Sequence, residues 1–337
     1  MEKLRVLYIF RKPLEGFYSI ENLFSNIQKY LSENIEYEDF YLPYHQGWLA
    51  KIKNIFYVLT IRKFFSKFDI IHITGDITYI TPFIKGRKVI TFHDLGSLFS
   101  KKRFLENKIL EFFWVRLPIF FAKKITVISP STYDEILSIV NKAKTKLYYI
   151  PNCIADNLLD NKPCLRQKVL SVLAIGTKKN KNLERIIRSV SNLGITLVIV
   201  GYLNDEQFKI LNNRKLEYII WSSLKYNQIK DLYKKVDIVV FPSLYEGFGL
   251  PIIEAHALGI PLITSNIEPM SSIAGQGAIK VDPYSEDQLR FAIISLIKDF
   301  SLRQKLVKIG NENAKNYLCS NISQQYVELY YKLMKNK

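Results

Sequence analysis

FPSLYEGFGLPIIEAHALGIPLIT, residues 241–264, reads as the end of one apolar strand, a glycine-bearing turn, a helix, a glycine stop and a second apolar strand. The β-branched run that precedes it, residues 236–241, suits a strand buried on both faces of a parallel sheet. Gly247 and Gly249 let the backbone approach a ligand with no Cβ in the way. Pro251 suits the first helical position, where its missing N–H costs nothing. Gly259 suits the helix stop, and Pro261 prevents continuation. The pattern predicts free N–H groups and a positive dipole end at the mouth of a parallel sheet, a setting for phosphate. Two acids flank it: Glu246 in the loop and Glu254 about one turn into the helix. Acids aimed past a phosphate accept hydrogen bonds from hydroxyls. A diphosphate between two hydroxyl-rich groups, as in a nucleotide sugar, satisfies both features.

Glu246 and Glu254, with seven residues between them including GFGLP, followed by EAHALGIP and by VDP at 281–283, resemble the signature of GT-B glycosyltransferases of the family 4 type, the glycosyl transferases group 1. The resemblance implies an α/β fold with two Rossmann-like, doubly wound parallel-sheet domains facing a cleft. It implies transfer of a hexose from a GDP- or UDP-linked sugar with retained anomeric configuration. No cofactor or metal is expected. Glu254 is then the partner of the ribose hydroxyls. Glu246 is the partner of the donor sugar, and backbone N–H groups around Phe248, Gly249 and Leu250 support sugar and phosphate, with Gly247 giving close approach.

Other stretches fit the same reading. GTKKNKN, residues 176–182, follows a strand and opens a helix, so its lysines suit a diphosphate. By resemblance Lys181 is the phosphate contact and Lys178 stands where arginine is common, with Gly176 giving access. FHD, residues 92–94, resembles the family's His-Asp, which makes His93 a contact to the transferred sugar. His93, Glu246 and Lys181 are thus the candidate catalytic residues. Gly16 follows the first strand where relatives often carry two glycines near the donor phosphates; Gly201 ends a strand and borders the base. His72 reads as structural, His256 as packing, and His45 has no motif support; Ser129 and Asn152 match family positions without assigned chemistry.

Strand-like runs alternate with helical patterns at 4–10, 70–74, 88–92, 125–128 and 147–150, then at 169–175, 196–200, 218–221, 236–241 and 261–264. Helical stretches include 19–30, 131–141, 183–193 and 227–234. This alternation implies parallel sheets covered on both faces. The polar, proline-bearing segment 151–169 reads as a linker. The expected domains are 1–155 on the acceptor side and 165–315 for the nucleotide sugar, with a terminal helix at 316–337 returning to the first domain.

The chain has 337 residues, enough for two cores, and a net charge of +17. Residues 48–124 hold 15 Lys and Arg against 5 Asp and Glu, interleaved with aromatics from Trp48 to Phe121. Such segments suit an anionic membrane surface. No nucleic-acid-binding motif is present, so nucleic acid is not an expected partner. The expected acceptor is a saccharide, lipid-linked, at the cytoplasmic face of the cell membrane in surface polysaccharide synthesis. Three cysteines, Cys153, Cys164 and Cys319, lack metal-ligand spacing and argue for a reducing compartment without a disulfide framework. No small-residue cleavage site follows the first strand, and no apolar run reaches spanning length. Three other classes remain open. A nicotinamide-dependent dehydrogenase would share the architecture, but no G-x-G-x-x-G follows either leading strand. A sugar-nucleotide epimerase would bind a similar donor without an acceptor, and a non-catalytic binding protein would need a broken site.

Overall fold

A computed structural model describes residues 3–12, 19–44, 47–96, 104–159, 165–224 and 226–335. Gly16, His45 and Cys164 lie outside the described residues. The chain forms two compact units: Met1–Cys153 with Cys319–Lys337, and Ile154–Leu318.

The first unit is built on a six-stranded sheet, all parallel, in the order β2-β1-β3-β4-β5-β6. The strands are β1 (Leu4–Phe10), β2 (Ile35–Tyr41), β3 (Ile70–Thr74), β4 (Arg87–Phe92), β5 (Lys124–Val127) and β6 (Leu147–Tyr149). The central strand β3, IIHIT, is buried along its whole length, as covering on both faces requires. One face carries the core around Leu7, Ile71, Ile90 and Trp114. The other carries Val6, Tyr8, Phe24 and the C-terminal helix Cys319–Lys335, whose Tyr326, Val327 and Tyr330 are buried there. His72 is fully buried in that second face: its ring nitrogens lie 2.7 Å from the Tyr330 hydroxyl and 2.7 Å from the Thr91 hydroxyl. The Tyr330 hydroxyl donates to the Tyr8 hydroxyl at 2.9 Å. These bonds fix the seat of the C-terminal helix on the sheet, and unmaking them would leave buried polar groups unpaired.

The second unit has six parallel strands in the order β12-β11-β10-β7-β8-β9. They are β7 (Ser171–Ile175), β8 (Thr196–Val200), β9 (Glu217–Trp221), β10 (Ile238–Phe241), β11 (Leu262–Ser265) and β12 (Ile279–Val281). The strand order reverses between β7 and β10. Crevices at such reversals, at the carboxyl ends of the strands, are where open α/β sheets bind ligands.

Three expectations need correction. β2 and β12 had no reading; both are edge strands, and β2 (IEYEDFY) is exposed along most of its length, so hydrophobic pattern does not mark it. Pro251 occupies the second helical position, because the helix begins at Leu250. Cys153 and Cys319 form a disulfide within the first unit: the chain leaves that unit at one and re-enters it at the other, which brings together residues 166 apart in sequence. The interleaved aromatics of 48–124 divide into two sets. Phe65, Phe68 and Trp114 are core, whereas Trp48, Phe56, Phe112, Phe113 and Phe120 are exposed.

Candidate functional site

The loops after β7 and β10 meet at the sheet reversal. Gly176 sits at φ +86°, and a Cβ there would fall 2.8 Å from Lys181 Cγ. The glycine is therefore the floor over which the Lys181 stem passes. Lys181 Nζ lies 4.9 Å above the Phe241 ring and bonds Glu246 Oε1 at 2.6 Å. The two motifs found separately in the sequence thus close on each other through one charge-assisted bond. Both side chains are mostly covered, at 21% and 13% exposed, so solvent screens the pair weakly.

Asn180 and Asn182 brace this junction. Asn180 Nδ2 donates to the Tyr245 carbonyl at 2.9 Å, and the Leu244 N–H donates to the Asn180 carbonyl at 2.8 Å. Asn182 adopts the left-handed conformation (φ 62°) and opens the helix Leu183–Val190. Its buried Nδ2 donates to the Pro242 carbonyl at 3.0 Å and to the Pro283 carbonyl at 2.7 Å. That second bond ties the VDP segment to the two loops. Lys178 is exposed at the start of the short turn Lys179–Lys181, apart from the Lys181–Glu246 bond. Gly201 (φ +141°) faces the Thr177 side chain, whose hydroxyl donates to the Tyr202 carbonyl at 2.6 Å. The glycine serves packing between the β7 and β8 loops.

The helix Leu250–Ala257 starts at Gly249 in the left-handed region (φ 106°), and no side chain caps it. A Cβ at Gly249 would approach Ile252 Cδ1 to 3.0 Å. The start of such a helix carries its positive end, although Pro251 has no N–H and the Ile252 N–H already donates to the Gly249 carbonyl at 2.9 Å. Phe248 is buried against Tyr317, ring centroids 5.8 Å apart, which leaves its backbone as the part that can serve a ligand. At the far end, Gly259 (φ 66°) closes the helix: its N–H donates to the His256 carbonyl and that of Ile260 to the Ala255 carbonyl. His256 packs as expected, 3.1 Å from the Gly277 carbonyl in a slot where neither Gly277 nor Gly310 has room for a Cβ.

Glu254 accepts a 2.8 Å hydrogen bond from the Tyr233 hydroxyl. Burial pushes its carboxyl above the usual range, and the tyrosine bond pulls part of that back. Tyr233, Asn180 and Asn182 were not singled out from sequence. The AsnX-Asn spacing after a strand could have flagged the asparagines; nothing local marks the tyrosine.

In the first unit, His93 follows β4 directly, its Nε2 buried without a hydrogen-bond partner. Burial lowers its pKa, while Asp76 and Asp94 act the other way. Ser129 caps the helix Pro130–Ile139, accepting from the Thr132 N–H at 3.2 Å. Among the described residues no group of three or more His, Cys, Asp or Glu is placed to hold a metal. Among them no helix is long and apolar enough to cross a membrane.

Residues 165–313 match the family described as glycosyl transferases group 1. These residues belong to that family. The whole chain takes the GT-B fold: a glycosyltransferase from Rickettsia africae aligns with a TM-score of 0.77 over 100% of both chains at 16% identity. Anabaena HepE, solved in complex with UDP-glucose, aligns at 0.76 over 98% of this chain and 100% of its own, at 17% identity. By sequence the chain is 28% identical over 290 residues to O-antigen chain mannosyltransferase B of Escherichia coli, covering 75% of this chain and 72% of that one. The matched residues lie within the second unit, Ile154–Leu318. The match brackets both site motifs, from before Gly176 to beyond Pro283.

Proposed function

We propose that this glycosyltransferase moves a hexose, with retention, from a GDP- or UDP-sugar to a hydroxyl of a lipid-linked saccharide in surface polysaccharide synthesis. The observation that carries the donor site is the Lys181–Glu246 bond at the sheet reversal, beside an uncapped helix start. Lys181 and the helix N-terminus supply positive charge to the departing diphosphate, in place of a metal ion. Glu246 orients Lys181 through Oε1 and accepts from the sugar hydroxyls through its other oxygen. Glu254, held by Tyr233, accepts from the ribose hydroxyls. His93 in the first unit contacts the transferred sugar. Relatedness to an O-antigen mannosyltransferase favours mannose as the sugar and a polysaccharide intermediate as the acceptor.

Retention needs no enzymic nucleophile. The bond from the anomeric carbon to the phosphate oxygen breaks, the acceptor oxygen bonds that carbon on the same face, and the acceptor proton passes to the departing phosphate. Positioning and leaving-group stabilisation are then the work of the protein. The exposed aromatics of the first unit, with the lysines around them, suit a peripheral position on an anionic membrane surface at its cytoplasmic face. Incubation with GDP-mannose or UDP-glucose and a glycolipid extract tests the reaction. An α-linked product with release of nucleoside diphosphate is expected. A β-linked product refutes retention, and sugar release only to water refutes transfer.

A further inference from the structure

We propose that Tyr233 makes the donor site select ribonucleotides over deoxyribonucleotides, by holding one oxygen of Glu254 and leaving the other to the ribose hydroxyls. The inference rests on the reading of Glu254 as the ribose partner. It adds the residue that positions that carboxylate and the specificity that follows.

Tyr233 closes the helix Tyr226–Tyr233, which precedes β10. Glu254 lies in the second turn of the helix Leu250–Ala257, which follows β10. One strand therefore sets both members of the pair. Tyr233 is only 1% exposed, and its hydroxyl donates to Glu254 Oε2 at 2.8 Å. A buried tyrosine hydroxyl needs such a partner, and the flat ring holds it on two torsions. Among the described residues Glu254 Oε1 accepts no hydrogen bond. An ionised carboxylate only accepts, so a donor completes it, and the vicinal hydroxyls of a ribose supply two.

No other group stands in for Tyr233. The hollow beside the pair, lined by Leu158, Ile229, Lys230 and Leu258, has no room for a water molecule. Lys230 is charged, but its ammonium donates to the Asn157 carbonyl at 3.2 Å. Tyr233 also lines a cavity of about 130 Å³ with Arg166, Asp237 and Arg303. There the charges are engaged with one another and with the backbone. Arg166 Nη1 bonds Asp237 Oδ1 at 2.8 Å, and Arg303 Nη2 donates to the Arg166 and Gln167 carbonyls at 3.1 and 2.8 Å. None of them bonds Glu254.

Selectivity follows from what the bond does. A free glutamate loses side-chain entropy when a ligand orders it, and Tyr233 removes that cost before the ribose arrives. The bond also favours the ionised, accepting form against the burial that disfavours it. Without the hydroxyl, Oε2 is left with neither protein nor water, and the carboxyl turns or takes up a proton. A ribose loses its prepared partner in either case. A 2′-deoxyribose, lacking one of the two hydroxyls, gains less from the arrangement and loses less with it. If Tyr233 served packing alone, its removal would weaken both kinds of nucleotide alike.

Calorimetric titration of the full chain with GDP and UDP, each against its 2′-deoxy form, tests this. Wild type should bind the better ribonucleotide about tenfold or more tightly than its deoxy counterpart. Tyr233→Phe should cut that ratio to about threefold or less, with the deoxynucleotide within about twofold of its wild-type affinity. The inference alone is overturned if Tyr233→Phe keeps the wild-type ratio, or if it weakens both forms by the same factor. Three outcomes strike the ribose reading of Glu254 and this inference with it: no nucleotide bound by wild type, equal binding of the two forms, or an unchanged ratio in Glu254→Gln. Should Tyr233→Phe not fold, 3-fluorotyrosine placed at position 233 reads the contact in a folded chain. Its fluorine resonance should move with saturating ribonucleotide and stay near its unliganded position with saturating deoxynucleotide. Equal movement with both overturns the inference.

Discussion

At the scale of single residues, the site depends on what glycine leaves out. Gly176 combines a left-handed φ with a neighbour, Lys181, lying where its Cβ would be. Gly176→Ala therefore carries both backbone strain and a displaced Lys181 side chain. We expect kcat/KM to fall by roughly tenfold or more, since small misplacements of a positioning charge are costly. Gly194 is the control: its φ is +68° but nothing lies within 4 Å of its Cβ position. Gly194→Ala should cost about 1 kcal/mol of stability from strain and leave activity intact. Wild-type kcat/KM in Gly176→Ala would remove the lysine from the mechanism. At this scale the glycines, the two acids and Lys181 were legible, because each sits within a few residues of a strand end or helix start. Asn182 and Tyr233 were not. The first works through partners 60 and 101 residues away, the second through one 21 residues away, and no local pattern records such partners.

Among the elements, the helix Gly47–Thr60 shows how far composition alone can be read. It carries Lys51 and Lys53 between Trp48 and the pair Phe56 and Tyr57, and the pattern does not say which aromatics are core. The structure buries Ala50, Asn54 and Val58 along one face and exposes Trp48, Leu49 and Phe56 on the rest. Asn54 is held inside by the Tyr44 backbone and the Tyr79 hydroxyl, 3.0 Å away. Lys51 lies over the Trp114 ring at 4.3 Å, and Lys53 over Tyr44 at 5.6 Å. An exposed apolar face flanked by lysines suits an anionic bilayer interface. In flotation with vesicles containing phosphatidylserine, wild type should float at low salt and much less at high salt. The double change Leu49→Ser, Phe56→Ser should abolish flotation while leaving the melting temperature nearly unchanged, because both side chains are exposed. Flotation by the double variant equal to wild type would take this helix out of membrane binding. Edge strands were the elements that sequence could not show. β2 and β12 each pair on one side only, and β2 carries its charges to solvent.

For the whole molecule, three of the four histidines are held neutral by burial. His72 is pushed down to about 3 and His256 to about 4, with desolvation the leading cause, and His93 is lowered too. A group whose folded pKa lies below its unfolded value takes up its proton first in the unfolded chain. Stability is therefore complete above about pH 6.5 and declines as pH falls toward 4 and 3, at about 1.4 kcal/mol per unit for each such histidine. Glu254, Glu135 and Asp39 are shifted upward by burial and oppose part of this slope. With the histidines dominant, the melting temperature should drop progressively between pH 6.5 and 5. A flat profile across that interval would show that His72 and His256 are accessible to protons in the native state. The two-unit plan itself was visible in the alternation of strands and helices. The disulfide of Cys153 and Cys319 was not, since their meeting depends on the chain's return to the first unit and not on local spacing.

The most direct test is calorimetric titration of the full chain with a panel of UDP- and GDP-sugars, repeated with Glu246→Ala. At least one sugar nucleotide should bind wild type with a Kd between about 1 µM and 1 mM, and the variant should bind it about tenfold or more weakly. Binding of none by wild type, or equal binding by both proteins, would contradict a donor site built on Lys181, Glu246 and the helix that begins at Leu250.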